Sequence, residues 1–264
     1  MNKRTKKPLM DNTLRVTLIC NAGLLLEYHG TTLLLDGIYG KEGHPFSNLT
    51  PQVWKQMKAG EPPFEKIDYL LFTHAHPDHF SPEMTLEYLQ HRPVKGVFAP
   101  DTRTVAESGL VEFLKEQGTP CALLSEQTDR TGFRVTKEIT VRAFRARHLD
   151  KQFEKVKHFC YLITFGEKKL LFTADIDYIS EDLSRLQGIH LDGVFVNPLF
   201  FSVLCHRRFF KGTLETGHLV VYHIPFAADD TMAMLPILER NLARWSEDRG
   251  TVTALREPFQ QVCF

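Results

Sequence analysis

The fold class this sequence predicts is α/β, in layers, and two observations carry it. Short apolar runs punctuated by glycine recur along the chain, and stretches with helix start and stop signals lie between them. Residues 13–20, 23–28 and 31–35 read as a meander of short strands, with Gly23 and Gly30 at the breaks. A less regular stretch, 37–63, holds one short helix that Thr50 can cap, with Pro51 suited to its first turn and Gly60 to its end. Val53, Trp54 and Met57 share a face of it. Residues 68–73 form a strand, and Ser81-Pro82-Glu83 opens a helix carrying Leu86 and Leu89. A strand over 94–99 and a helix over 102–116 follow. Strands are predicted at 139–146, 159–165, 169–173, 193–196 and 219–222, with helices near 180–186 and 236–245. There is no linker-like shift in composition, so one domain over 13–264 behind a loose tail, 1–12, is expected.

At 264 residues and 43% hydrophobic, the chain can bury a sizeable core. Lys plus Arg and Asp plus Glu each total 32, and a formal net charge of +0 gives no general attraction for nucleic acid or an anionic membrane. The cysteines, Cys20, Cys121, Cys160, Cys205 and Cys263, form no C-x-x-C pair, which argues against a thiolate zinc site or a disulfide framework. The basic start MNKRTKKPLM lacks the roughly 7–15-residue apolar core of a secretory signal. No apolar run approaches the ~20 residues of a membrane span. A soluble cytoplasmic protein, with nucleic acid not its default substrate, is the expectation.

The chemistry concentrates in His74-Ala75-His76-Pro77-Asp78-His79, at the end of the apolar run Tyr69-Leu70-Leu71-Phe72. Packing polar rings and an acid so closely without partners costs several kcal/mol. A metal removes that cost, because neutral imidazole and carboxylate are favoured zinc ligands. Pro77 limits the backbone of the loop. The bland alternative is a chance surface cluster.

The pattern His74-x-His76-x-Asp78-His79 resembles the signature of the metallo-β-lactamase superfamily, and later strand ends offer a match for each further family motif. Asp36 closes Leu33-Leu34-Leu35, His148 follows the strand at 139–147, Asp175 follows Leu170-Leu171-Phe172-Thr173-Ala174, and His223 follows Leu219-Val220-Val221-Tyr222. His158 and His218 compete, but they precede apolar runs rather than follow them, so they read as ordinary polar residues at strand starts. The resemblance implies a four-layer αββα sandwich of two mixed sheets. It implies one metal on His74, His76 and His148 and a second on Asp78, His79 and His223, with Asp175 bridging. Asp36 then orients a ligand histidine, or else is only a turn residue at a strand end. Two departures or choices stand out. The family usually has Gly before the bridging Asp, where this chain has Ala174, and Asp177 lies close by as a competitor. His76 occupies the place where diiron electron-transfer relatives usually carry Glu, which favours two zinc ions, with iron or manganese as alternatives.

Such a site implies hydrolysis of a small, anionic ester, lactone or phosphodiester type of substrate, with catalytic roles on Asp78, for the proton, and Asp175. Alternatives within the same fold are a nucleotide or RNA phosphodiesterase, an iron-dependent oxygenase, a thioesterase, and a metal-binding protein without turnover. Length and strand spacing look most like the stand-alone branch that includes ascorbate-6-phosphate lactonase-like enzymes. Substrate choice is expected in two places. His44, Phe46 and Trp54 could wall a pocket from the 37–63 stretch, or Trp54 could simply pack in the core. Arg207 and Arg208, in the basic and aromatic run 205–211, could hold a carboxylate or phosphate, or lie on a solvated loop.

Overall fold

The computed structural model describes residues 12–41, 43, 45–127, 132–201, 213–244 and 250–264. His44, Arg207 and Arg208 lie outside the described residues, as do residues 1–11 of the expected tail.

Two seven-stranded mixed sheets stack face to face. The first contains β1 (Arg15–Leu18), β2 (Leu24–Tyr28), β3 (Thr31–Leu35), β4 (Tyr69–Leu71), β5 (Gly96–Pro100), β6 (Cys121–Leu124) and β16 (Gln261–Cys263). Its order is β16-β1-β2-β3-β4-β5-β6, antiparallel as far as β3 and parallel from there to β6. The second contains β7 (Gly132–Arg134), β8 (Ile139–Arg145), β9 (Phe159–Phe165), β10 (Lys168–Phe172), β12 (Gly193–Val196), β14 (His218–Val221) and β15 (Thr251–Ala254). Here β15, β14, β12 and β10 run parallel, and β9, β8 and β7 alternate in direction. A short parallel pair, β11 (His190–Leu191) with β13 (Glu215–Thr216), stands apart.

Strand alternation sorts side chains into three buried layers. Leu24 and Leu26 point between the sheets with Leu33, Phe98, Val141, Tyr161, Ile163 and Phe172. Leu25, Leu34, Leu70 and Val97 point outward, against Val53, Met57, Tyr88, Leu89 and Leu114 of the helical layer. On the other side Phe144, Leu171 and Val194 meet Leu183, Phe200 and Leu238. Central strands are buried on both faces, which is why they appear as continuous apolar runs rather than alternating ones. The result is the αββα sandwich.

The helix signals act as read. In α1 (Pro51–Ala59), Thr50 accepts from the Val53 N–H and Gly60, at φ 67°, closes the end. In α2 (Pro82–His91), Ser81 accepts from the Met84 N–H. The single helix expected over 102–116 is two, α3 (Arg103–Glu107) and α4 (Leu110–Glu116), because Gly109 adopts φ 78° between them. The helix near 180–186 is a 3-10 turn over Asp182–Leu186, and α5 spans Met234–Leu242. No helix among the described residues is long and apolar enough to cross a membrane.

Direction matters more than order for the site. β3, β4, β8, β10 and β14 all end at one edge of the sandwich, and each delivers a candidate site residue there. Three of these exits turn through the left-handed region, at Asp36 (φ 46°), Ala174 (φ 45°) and His223 (φ 59°). Left-handed backbone costs a residue with a Cβ about 1–2 kcal/mol, and such strain collects at functional sites.

Candidate metal centre

The structure brings together all seven residues expected as ligands. His74, His76, His148 and Asp175 form one group able to hold a cation, and Asp78, His79, Asp175 and His223 form a second. Asp175 belongs to both. Within each group the candidate ligand atoms lie within 4.8 Å of one another. Asp177, the competitor, lies outside both groups; it accepts from the Ile179 N–H and approaches Arg147.

The ring nitrogens are sorted by what stands behind them. Asp36 is fully buried; its carboxylate accepts from the Thr73 N–H (2.8 Å) and hydroxyl (2.6 Å) and from Nδ1 of His79 (2.9 Å). With its hydroxyl proton given to Asp36, Thr73 Oγ1 can accept from Nδ1 of His74 at 3.0 Å. Nδ1 of His148 donates to the Leu149 carbonyl at 2.5 Å. These bonds fix the tautomer, so the Nε2 lone pairs of His74, His79 and His148 face inward. Asp36 is thus more than a turn residue at a strand end: it holds the ring of His79, a candidate ligand.

Inward, rings and carboxylates crowd together. Nε2 of His148 lies 3.3 Å from that of His74, and Nε2 of His223 lies 2.9 Å from that of His79. Asp175 Oδ2 is 3.3 Å from Nε2 of His79 and 3.6 Å from that of His148, while its Oδ1 is buried with no hydrogen-bond partner. Facing lone pairs around an orphaned carboxylate oxygen are what a pair of cations would resolve, so the residues present fit a dinuclear metal group.

Electrostatics agree. Burial lowers the His74 and His148 imidazoles, and the neighbouring rings push His74 further down. Burial and His148 hold His76 at about 4. These rings are neutral at pH 7, as metal ligation requires. His79 goes the other way: burial would lower it, but Asp78, Asp175 and Asp36 raise it well above the usual range. Burial opposes ionisation of Asp78 and Asp175 too, and the imidazoles outweigh it, holding Asp78 at about 2 and Asp175 well below the usual carboxylate range. The carboxylates call for positive charge at this point, which a bound cation would supply.

A cavity of about 360 Å³ opens onto both groups. Phe46, Leu149, Phe153, Leu199 and Met234 give it apolar walls, and Lys41 is the one lysine or arginine lining it among the described residues. Phe46 packs edge-on to His223 at 4.7 Å, and Phe153 edge-on to His76 at 4.6 Å. The 37–63 stretch thus does supply a wall, through Lys41 and Phe46. Trp54 is a correction: it sits on α1 against Tyr88 and Lys58 and does not line the cavity, because the helix turns that face toward α2.

Two buried residues behind the ligands escaped the reading of strand ends. His158 is fully buried; its Nε2 accepts from the Asp175 N–H (3.1 Å) while Nδ1 faces the Ala146 carbonyl (3.3 Å). It is no ordinary polar residue at a strand start, for it ties Asp175, the residue common to both groups, to the segment leading to His148. Asn197 donates to the Ala174 carbonyl at 2.8 Å, which steadies the left-handed turn before Asp175. His218 starts β14 and bonds Thr253, away from the site.

Comparison with known proteins follows the same lines. A curated relative, the 4-amino-L-phenylalanyl-[CmlP-peptidyl-carrier-protein] 3-hydroxylase of Streptomyces venezuelae, is 27% identical over 161 residues, 61% of this chain and 28% of that protein. The solved structure of CmlA, a diiron β-hydroxylase from Streptomyces venezuelae, superposes with a TM-score of 0.60 at 21% identity, covering 98% of this chain and 55% of that one. This chain therefore spans only about a quarter of the curated relative's length and about half of that structure. The metallo-β-lactamase fold protein YhfI from Bacillus subtilis gives 0.61 at 15% identity, covering 96% of this chain and all of that one (100%). Zn(2+)-bound PqqB from Methylobacterium extorquens gives 0.59 at 12%, covering 95% and 99%. These likenesses show the fold. Residues 32–233 match the family described as the beta-lactamase superfamily domain, and with the two ligand groups at the shared edge of its αββα sandwich the chain belongs to the metallo-β-lactamase superfamily.

Proposed function

We propose that this chain is a metal-dependent hydrolase of a small, anionic substrate, working with two zinc ions held by His74, His76 and His148 and by Asp78, His79 and His223, with Asp175 between them. The observation that carries this reading is the pair of ligand groups sharing Asp175, whose buried Oδ1 has no hydrogen-bond partner. Bound there, two divalent cations would supply a hydroxide nucleophile near neutral pH and polarise the bond attacked. The chain's own residues do the rest. Asp36 and Thr73 hold the His79 and His74 rings in register. The apolar walls exclude water from the reacting bond and accept the non-polar part of a substrate. Lys41 is placed to meet an anionic group at the mouth. Against the cost of burial, His79 and His223 hold the Asp78 carboxyl at about 2, so it is ionised at pH 7 and able to serve as a ligand.

A second reading is oxygen-dependent hydroxylation at a diiron centre, favoured by the similarity to the Streptomyces venezuelae hydroxylase. One experiment separates the two. Protein purified without a histidine tag is assayed for metals per chain by mass spectrometry, then for hydrolysis of chromogenic phosphodiester, lactone and thioester probes. About two zinc ions with turnover of one probe class support the hydrolase. Iron with oxygen uptake supports the hydroxylase, and failure to take up any metal overturns both.

A further inference from the structure

The loop that follows His148 sorts polarity across His76. Leu149 and Phe153 face the apolar cavity, whereas Lys155, Val156 and Lys157 line a separate groove of about 500 Å³ on the other side. The far wall of that groove is the turn into α3, with Asp101 and Arg103. His76 lines both openings, and it is the one candidate ligand that does so.

The groove's positive charge is available. Asp101, its one acid, is already answered by Lys157, which bonds the Asp101 carbonyl and lies 3.5 Å from its carboxylate. Among the described residues Arg103 pairs with Glu107 of its own helix alone, both strongly exposed at 88% and 61%, and exposed pairs of this kind contribute little and are readily exchanged for a ligand. Lys155 is exposed and makes no ion pair among the described residues. Since the whole chain is neutral, this grouping is a local feature and not a share of a general positive field.

We propose that this groove is a subsite for an oxyanion group, carboxylate or phosphate, of a substrate whose apolar part occupies the cavity. The bond to be cut then lies over His76, between an apolar portion and an anionic one. The substrate class is an amphiphilic ester or amide, with unlike ends on the two sides of the metals. This assignment rests on the hydrolase reading for the reaction, but not for the binding.

The test uses the zinc-loaded full chain and two measurements. The first is the affinity for hexyl phosphate by calorimetry. The second is kcat/KM for 3-carboxy-4-nitrophenyl hexanoate relative to 4-nitrophenyl hexanoate. R103E/K155E reverses two exposed charges in the groove. K137E reverses an exposed one (88%) before β8, at the opposite end of that strand from His148. The expected result is a roughly tenfold weaker hexyl phosphate affinity in R103E/K155E, and a similar loss of preference for the carboxylated ester, with K137E like the wild type. Equal weakening by K137E would reduce the groove to a general field and overturn the subsite. So would an R103E/K155E affinity unchanged within a factor of two, or a wild type that does not bind hexyl phosphate. If neither ester is turned over while the affinity still depends on Arg103 and Lys155, the hydrolase reading fails and the subsite stands.

Discussion

The candidate metal centre is assembled from two kinds of region. His74, His76, Asp78 and His79 come from one loop of six residues, and two of the rings are aimed by side chains behind them, Thr73 and Asp36. His148, Asp175 and His223 come singly from the ends of β8, β10 and β14, and the bonds that hold them run through main-chain groups. The Leu149 carbonyl takes Nδ1 of His148, His158 takes the Asp175 amide, and left-handed turns aim Asp175 and His223. The contrast teaches that a cluster in one loop needs polar side chains to orient it, whereas scattered ligands inherit their positions from strand direction and backbone turns.

Removing a ligand from the loop should break the comparison most severely. His79→Ala deletes a ring on which Asp36, Asp78 and Asp175 converge, so the second metal should be lost. Metal content per chain should fall by about half or more, read by mass spectrometry of the purified variant. Unchanged content would mean that His79 is no ligand. The next largest effect is expected one step back. Asp36→Asn weakens the acceptor behind His79 and should lower metal affinity roughly 10–100-fold, measured by competition with a chelator.

On the scattered side the effects should appear in stability of the metal-free protein. His158→Ala leaves the Asp175 N–H and Ala146 carbonyl unpaired in the interior, at a cost of about 1–3 kcal/mol in urea denaturation at pH 7. A pH dependence sharpens this. Burial and His148 hold His158 at about 3, against an ordinary 6.5, so the unfolded chain binds a proton that the folded chain refuses. Stability should therefore fall as pH drops from about 6.5 toward 3, and His158→Gln should flatten that slope in part. An identical slope in the variant would remove His158 from the account. The smallest change, Ala174→Gly, should be stabilising. It relieves a Cβ at φ 45°, and a gain of about 0.5–1 kcal/mol in the thermal melt is expected after the added chain entropy of glycine.

Much of this was legible in the sequence, for reasons that differ by residue. The loop run declared itself because His74, His76 and His79 are adjacent. His148, Asp175 and His223 were legible because each stands just after an apolar run. His158 was misread by the same logic: it precedes a run, and strand starts were assigned to the far edge. That holds for His218, since β14 runs parallel to β10. It fails for His158, since β9 runs antiparallel to β8 and β10, so its first residue arrives at the edge where theirs leave. No periodicity in one chain encodes strand direction. Short edge strands such as β6, β7, β15 and β16 were missed because pairing, not local pattern, makes them strands. Lys41 and Phe153 gave no signal, being single residues in an irregular loop and in a 3-10 turn of three residues.

The reversal at β9 has one more consequence. The Phe159 N–H donates to the Thr73 carbonyl at 2.9 Å and the Tyr161 hydroxyl to the Phe72 carbonyl at 2.9 Å, so the second sheet is stitched to the first directly beneath the histidine loop. These act as rivets between layers whose shared interior is packed with apolar side chains. The two half-sites cannot drift apart by one sheet sliding over the other. The Phe159 amide hydrogen should accordingly exchange with solvent only when the whole sandwich opens, and the pocket's precision at the metals is a property of the molecule as a unit.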